Sequence, residues 1–413
     1  MAGSCPLPLS YKIQNSFVPS LCISKASPAF PMRTSTQFPS RFLTHACFKS
    51  KSTTLSVSAA GTSFTWDDVL RISQPESLPD DPSDISGFFQ KVKICNRGSE
   101  KQSEFLPFVI EDEIVGYLHN GFAQHLKRFK DVFFFPRDDS YGGRIGAHVT
   151  LHPMLGKPED RTGAVGDVVK CLGEELIPGI RNELYPVKSS FGSRVFFSLE
   201  RAAAPYFGIK AYGVQMNGYI ERNCQKLLWI GKRSQGKATY PGMLDQLVAG
   251  GLVHSLPPRQ SPLYFLDQCI PDRRSPRGTP QRKSHPHGIA CGENLVKECE
   301  EEAGIPRSIA NEAIPVGAVS YMDIDGYRYK RDVLFCYDLK LPESFRPENQ
   351  DGEVDSFKLL PARHVANVIR RTQFFKPNCS LVIIDFLFRH GYMKPEHFGY
   401  LDLLQSLRSG DCS

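Results

Sequence analysis

The sequence predicts an α/β protein of two domains, and three observations carry the prediction. The 413 residues are enough for two cores and tails. Strand-like runs alternate with helical ones through the second half of the chain. Near residue 300, an acidic helix ends abruptly at Gly304-Ile305-Pro306.

In chain order, Trp66-Asp-Asp-Val-Leu opens a helix. Phe105–Ile110 and Ile114–Leu118 read as a strand pair turning at 111–113, and Phe122–Phe129 as a helix. Val165–Leu172 and Leu176–Glu183 read as helical, and Arg194–Arg201 as a strand leading to Pro205. These elements compose a first domain over 66–205. A second opens near Phe207, where Ile209–Ile220 alternates apolar and polar residues as a half-buried strand does, followed by a strand at Leu227–Arg233. A loop from Lys237 to Asp245 runs into Ala249-Gly250-Gly251-Leu252. Then come a helix at Glu293–Ala303, strands at Ala313–Met322 and Tyr327–Leu339, a strand over 351–360, helices at Ala362–Arg371 and Cys379–Arg389, and a tail ending in Leu401–Leu407. The second domain is placed at 207–370, with a helical extension over 371–413.

The acidic helix carries the chemistry. Glu298, Glu301 and Glu302 stand at i, i+3 and i+4, on one helical face. Carboxylates brought together repel each other unless a cation lies between them. Hard divalent ions prefer such oxygen donors and commonly bind through a few carboxylates plus substrate phosphates. A solvated acidic face is the ordinary alternative for a charge run.

The run Lys297-Glu-Cys-Glu-Glu-Glu-Ala-Gly-Ile305 resembles the second half of the Nudix box, G-x5-E-x7-R-E-U-x-E-E-x-G-U with U aliphatic. Lys297 stands for Arg, Cys299 for the aliphatic residue, and Gly304 and Ile305 close the motif. The first half is interrupted. Gly250 and Gly251 resemble the entry to the box, and the spacing is restored when the 33 residues 253–285 are left out, which brings Gly250 to the first position and Gly288 to the sixth. The segment holds six prolines and six basic residues against two Asp and lacks apolar periodicity beyond one short run. A retained in-frame intron and a surface insertion both account for it. Ile289 occupies the seventh position, where the box carries Glu.

The resemblance extends to Gly213–Gly218, Leu228-Trp-Ile-Gly-Lys-Arg-Ser, Tyr-Pro-Gly-Met-Leu-Asp245 and Gly352-Glu-Val-Asp-Ser-Phe. These look like the plant and fungal Nudix hydrolases related by name to thiamine pyrophosphokinase. The resemblance implies a Nudix α/β/α sandwich preceded by a smaller α+β domain. It implies hydrolysis of an organic diphosphate with Mg²⁺ or Mn²⁺, and for this group oxo- and oxythiamine diphosphates cut to monophosphates. Glu298 and Glu302 become metal ligands, Glu301 a ligand or water-orienting base, and Glu353 an assisting acid. A diphosphate isomerase on the same fold and a non-catalytic binding protein are the alternatives.

No Asp or Glu precedes Asp67, and residues 1–60 are rich in Ser and Thr, the composition of a chloroplast transit peptide. The six basic residues of this leader account for the whole formal charge of +6. The remaining body is not basic, which removes electrostatic support for nucleic-acid binding. No run of 18 apolar residues suggests a membrane span. The 12 cysteines show neither C-x-x-C nor zinc spacing and read as reduced thiols. Oligomeric state leaves no mark in the sequence.

Overall fold

Capping chemistry fixes the first helix. In the computed structural model, which describes residues 64–77, 81–136, 146–252 and 290–410, Thr65 Oγ1 accepts from the Asp68 amide and Asp68 accepts from the Thr65 amide. This reciprocal pair satisfies amides left over at a helix start. It opens α1 (Trp66–Ser73), and α2 (Ser86–Cys95) follows.

An α+β unit comes next. Strands β1 (Phe105–Ile110) and β2 (Glu113–His119) form an antiparallel hairpin whose turn places Glu111 and Asp112 at positive φ. Helix α3 (Asn120–Leu126), strands β3 (Phe133–Phe134) and β4 (Val149–Leu151) and helix α4 (Pro158–Leu176) complete its main body. The sheet order is β2-β1-β4-β3, with β4 parallel to β1. A second hairpin pairs β5 (Leu184–Val187) with β6 (Phe197–Glu200). Phe108, Phe122, Phe197 and Phe207 fill the core of this unit. Residues 177–183, expected to be helical, are not. The backbone leaves the helix at Gly173 (φ 70°), and Pro178-Gly179 (φ 87°) cannot resume it.

The larger body is a sheet covered on both faces. Its strands are β7 (Lys210–Arg222), β8 (Gln225–Arg233), β9 (Leu244–Asp245), β10 (Val248–Gly251), β11 (Ile314–Asp325), β12 (Arg328–Lys340) and β13 (Val354–Pro361). The main order is β11-β12-β7-β8-β13. Strands β7 and β12 run parallel, and the other pairs are antiparallel. Strand β10 pairs with β7 over 213–216, opposite Gly251 to Val248, while β8 takes up the far end of β7.

Helix α5 (Cys291–Ala303) packs on one face through Leu295, Val296 and Cys299 against Val214, Met216 and Val333, and α6 (Arg307–Ala310) follows it. The other face carries α7 (Ala362–Arg371), α8 (Pro377–Arg389) and α9 (Tyr400–Ser406). This is an α/β/α sandwich. Helices α1 and α2 also lie on this second face. Val69, Phe88 and Val92 share a core with Val365, Ile369, Leu381 and Leu403. Trp66 Nε1 donates to Ser356 Oγ at 2.9 Å, and Lys91 Nζ donates to the Thr372 carbonyl. No described helix is long and apolar enough to cross a membrane.

Candidate active site

The glycine strand and the acidic helix meet through two carboxylates, Glu302 and Glu298. Helix α5 carries a buried stripe of Leu295, Val296, Cys299 and Ala303 that holds it on the sheet, and Glu302 falls on that stripe. Only 9% exposed, Glu302 accepts from the Ala249 amide of β10 at 2.8 Å. Glu298, one turn earlier, is half-buried against Gly250, where a Cβ would stand 2.4 Å from the Glu298 carboxyl carbon. Glycine at 250 is therefore a steric requirement of the carboxylate. Gly251 takes Asn294 Nδ2 on its carbonyl at 3.4 Å, and a Cβ there would approach Tyr185 Oη of the α+β unit to 3.0 Å. The helix ends at Gly304, whose φ of 61° suits glycine, and the Ile305 amide returns to the Cys299 carbonyl at 3.0 Å. Ile305 is fully buried and pins the helix end.

The other expected residues are placed as follows. Glu301 is exposed, and its carboxylate is taken by Lys297 at 2.9 Å, an i,i+4 pair that holds the Lys297 ammonium protonated above its ordinary range. The pair lies largely in solvent, and such pairs contribute about 0.3–0.5 kcal/mol. Glu353, at the entry to β13, is half-exposed and bonded to Lys237. Gly288 and Ile289, the 253–285 segment and the leader lie outside the described residues.

Electrostatics ties the carboxylates together. Burial pushes the Glu298 carboxyl up to about 7, partly offset by Lys297 and reinforced by Glu301, Glu353 and Asp351. Burial drives Glu302 well above the carboxylate range, against the pull of the Ala249 amide, with Glu298, Asp245 and Glu353 adding to it. Asp245 goes the other way. Burial raises its carboxyl, but Lys376 at 3.3 Å and Arg233 at 2.7 Å overcome the penalty, so it lies below its ordinary value. Cys379 Sγ also donates to Asp245 at 2.5 Å.

Whether a cation suits these residues is a question of donors. Glu298 and Glu302 offer hard oxygens whose charge is disfavoured as they stand, with Glu353 near enough to add to that cost. A divalent cation reverses the penalty. Among the described residues no three His, Cys, Asp or Glu side chains close into a metal cage on their own.

Sequence reading passed over Asp245, Gln246 and Tyr185. Asp245 and Gln246 line one small cavity with Arg233, Ala249, Glu302 and Glu353. Their signal was the position of Asp245-Gln246 just before the glycines. Tyr185 lies in another unit of the chain and left no local sign.

Comparison with known proteins places this arrangement. A family model described as "Domain of unknown function (DUF4743)" matches residues 87–211. In solved structures, the Nudix domain of Shewanella oneidensis NrtR complexed with ADP ribose is similar at 12% identity and a TM-score of 0.28, over 44% of this chain and 90% of that one. Two Arabidopsis thaliana proteins match far more strongly. Nudix hydrolase 20, chloroplastic, is 60% identical over 372 residues, covering 90% of this chain and 89% of the relative. Nudix hydrolase 24, chloroplastic, is 58% identical over 352 residues, covering 85% and 86%. With that identity along nearly the whole length of both relatives, the chain belongs to the Nudix hydrolase family, as a diphosphate hydrolase of the chloroplast.

Proposed function

We propose that the substrate is an organic diphosphate with a heteroaromatic group, foremost oxothiamine and oxythiamine diphosphate, cleaved to the monophosphate with Mg²⁺ or Mn²⁺. The observation that carries the reading is the pair Glu298 and Glu302, seated against Gly250 and the Ala249 amide. These two carboxylates would hold the cation, and Glu301 would reach it by leaving Lys297. When bound, the cation neutralises the diphosphate and lowers the pKa of an attacking water. Residue Ala249 fixes Glu302 through its amide, so the carboxylate is oriented before substrate arrives. Glu353, which lines the same cavity as Glu302 and is paired with Lys237, takes the proton of the attacking water.

Aromatic residues from both units cluster beside β10. The Tyr212 carbonyl accepts from the Leu252 amide at 2.9 Å, next to the box glycines. The Phe191 ring of the α+β unit meets Tyr212 edge-on at 5.0 Å and Phe335 at 4.7 Å. Tyr185 and Tyr212 are buried, so these rings pack the α+β unit beside the box glycines and give it a part in shaping that end of the site. The acid-free leader serves as the transit peptide.

The test is a substrate panel with Mg²⁺: oxothiamine, oxythiamine and thiamine diphosphates, a nucleoside diphosphate sugar and NADH. It is run on the chain from residue 60 and on the same chain lacking 253–285. The oxidised thiamine diphosphates are expected to give the highest kcat/KM, and Glu302→Gln to abolish turnover with its circular dichroism unchanged. A tenfold preference for the sugar nucleotide or NADH would sink the substrate assignment. Activity confined to the shorter form would identify the segment as an intron product, and equal activity as a surface insertion.

A further inference from the structure

Gln246 is the least explained polar residue near the carboxylates. It is 3% exposed, and neither its carboxamide oxygen nor its nitrogen has a hydrogen-bond partner. A buried amide left without partners is unfavourable, because its lost hydration is not replaced. The next residue back, Asp245, has its oxygens taken by Arg233, Lys376, Cys379 and the Gln246 amide, so it offers the side chain nothing further. Gln246 lines the cavity shared with Glu302 and Glu353, whose volume is about 10 Å³. That is about the smallest space that takes one water, and a buried water needs two to four polar partners. Glu302 uses Oε2 on the Ala249 amide. A carboxamide, which both donates and accepts, is suited to orient a water beside a carboxylate acceptor.

We infer that Gln246 is a positioning residue that, with Glu302, holds the attacking water on the floor of the diphosphate site. The oxygen of this water forms the new bond to phosphorus, and the bridging P–O bond breaks towards the departing phosphate. The proton passes to Glu353, which is half-exposed and can return it to solvent. The inference rests on diphosphate hydrolysis and is independent of which organic group the substrate carries.

Two measurements test it. A high-resolution crystal structure of the wild-type protein with Mg²⁺ is expected to show one water within hydrogen-bond distance of both the Gln246 carboxamide and the Glu302 carboxylate. That readout needs no turnover, so it stands even if the thiamine diphosphates fail as substrates. Gln246→Leu keeps the volume and removes two unmatched polar atoms, so the fold is expected to persist with an equal or higher Tm. With any diphosphate that the wild type turns over, kcat is expected to fall 30- to 100-fold while KM moves less than threefold. Gln246→Asn, with its amide drawn back, is expected to fall between. A filled amide-to-amide contact with no water in the crystal, or Gln246→Leu with wild-type kcat, would overturn the inference. If Gln246→Leu does not fold, the crystal structure decides alone.

Discussion

At the scale of single residues, this protein sets buried charges against unequal compensation. Glu298 and Glu302 are left costly, whereas Asp245 is matched by two cations and a thiol. The uncompensated pair is where a ligand gains most, since it supplies what the protein withholds. Two lysines are also held at a cost. Burial pulls Lys91 down to about 8, with Cys95 opposing weakly, and burial alone pulls Lys188 to about 8. Both titrate near 10.5 when unfolded, so between pH 8 and 10.5 the unfolded chain binds more protons. Stability therefore rises with pH through that window and is lowest, for these groups, below pH 8. Urea unfolding of the wild type is expected to show a rising midpoint from pH 8 to 10, and Lys91→Met to flatten it. A midpoint that falls equally in both proteins would show that the lysines are not strained.

At the scale of elements, the decisive contact is between strand β10 and helix α5. The gap between them at Gly250 is set by a carboxylate, so Gly250→Ala must push Glu298 aside or shift the strand. Overpacking of this kind costs about 1–3 kcal/mol. The variant is expected to lose several degrees of Tm and at least tenfold in kcat, whereas Gly292→Ala, where a Cβ meets nothing within 4 Å, leaves both unchanged. Equal kinetics in the two variants would show that Glu298 need not sit there. Much of this was legible beforehand. The box helix, expected at Glu293–Ala303, spans Cys291–Ala303, and Ala362–Arg371 is helical to the residue. Periodicity succeeds there because a single buried face decides each element. It failed over 177–183, where Leu176, Ile177 and Ile180 mimic a helix but two backbone glycines rule it out. The i, i+3, i+4 spacing of the glutamates was legible. The capture of Glu301 by Lys297 was not, because spacing cannot tell which of two neighbours a long side chain prefers. The role of Tyr185 was hidden altogether, since it depends on how two units dock.

At the scale of the whole molecule, the α+β unit is threaded between two parts of one core. Helices α1 and α2 come before it, and their partners α7, α8 and α9 come from the other end of the chain. Val69, Ile85, Phe88 and Val92 are buried there. Each such side chain contributes roughly 1.5–3 kcal/mol, and four of them rival the ~5–15 kcal/mol by which a whole domain is stable. A protein started at residue 97 is expected to be insoluble or to lack a cooperative thermal transition, while one started at residue 64 folds. A soluble short form with an unchanged Tm would show that the two helices are ornamental. The same threading sets a schedule for biosynthesis. The contact between Trp66 and Ser356 spans 290 residues, so the first helices to leave the ribosome are the last to find their seats. Until the final helix emerges, their apolar faces are open to chaperones and to other chains. Order of synthesis thus becomes a hazard that the finished sandwich no longer shows.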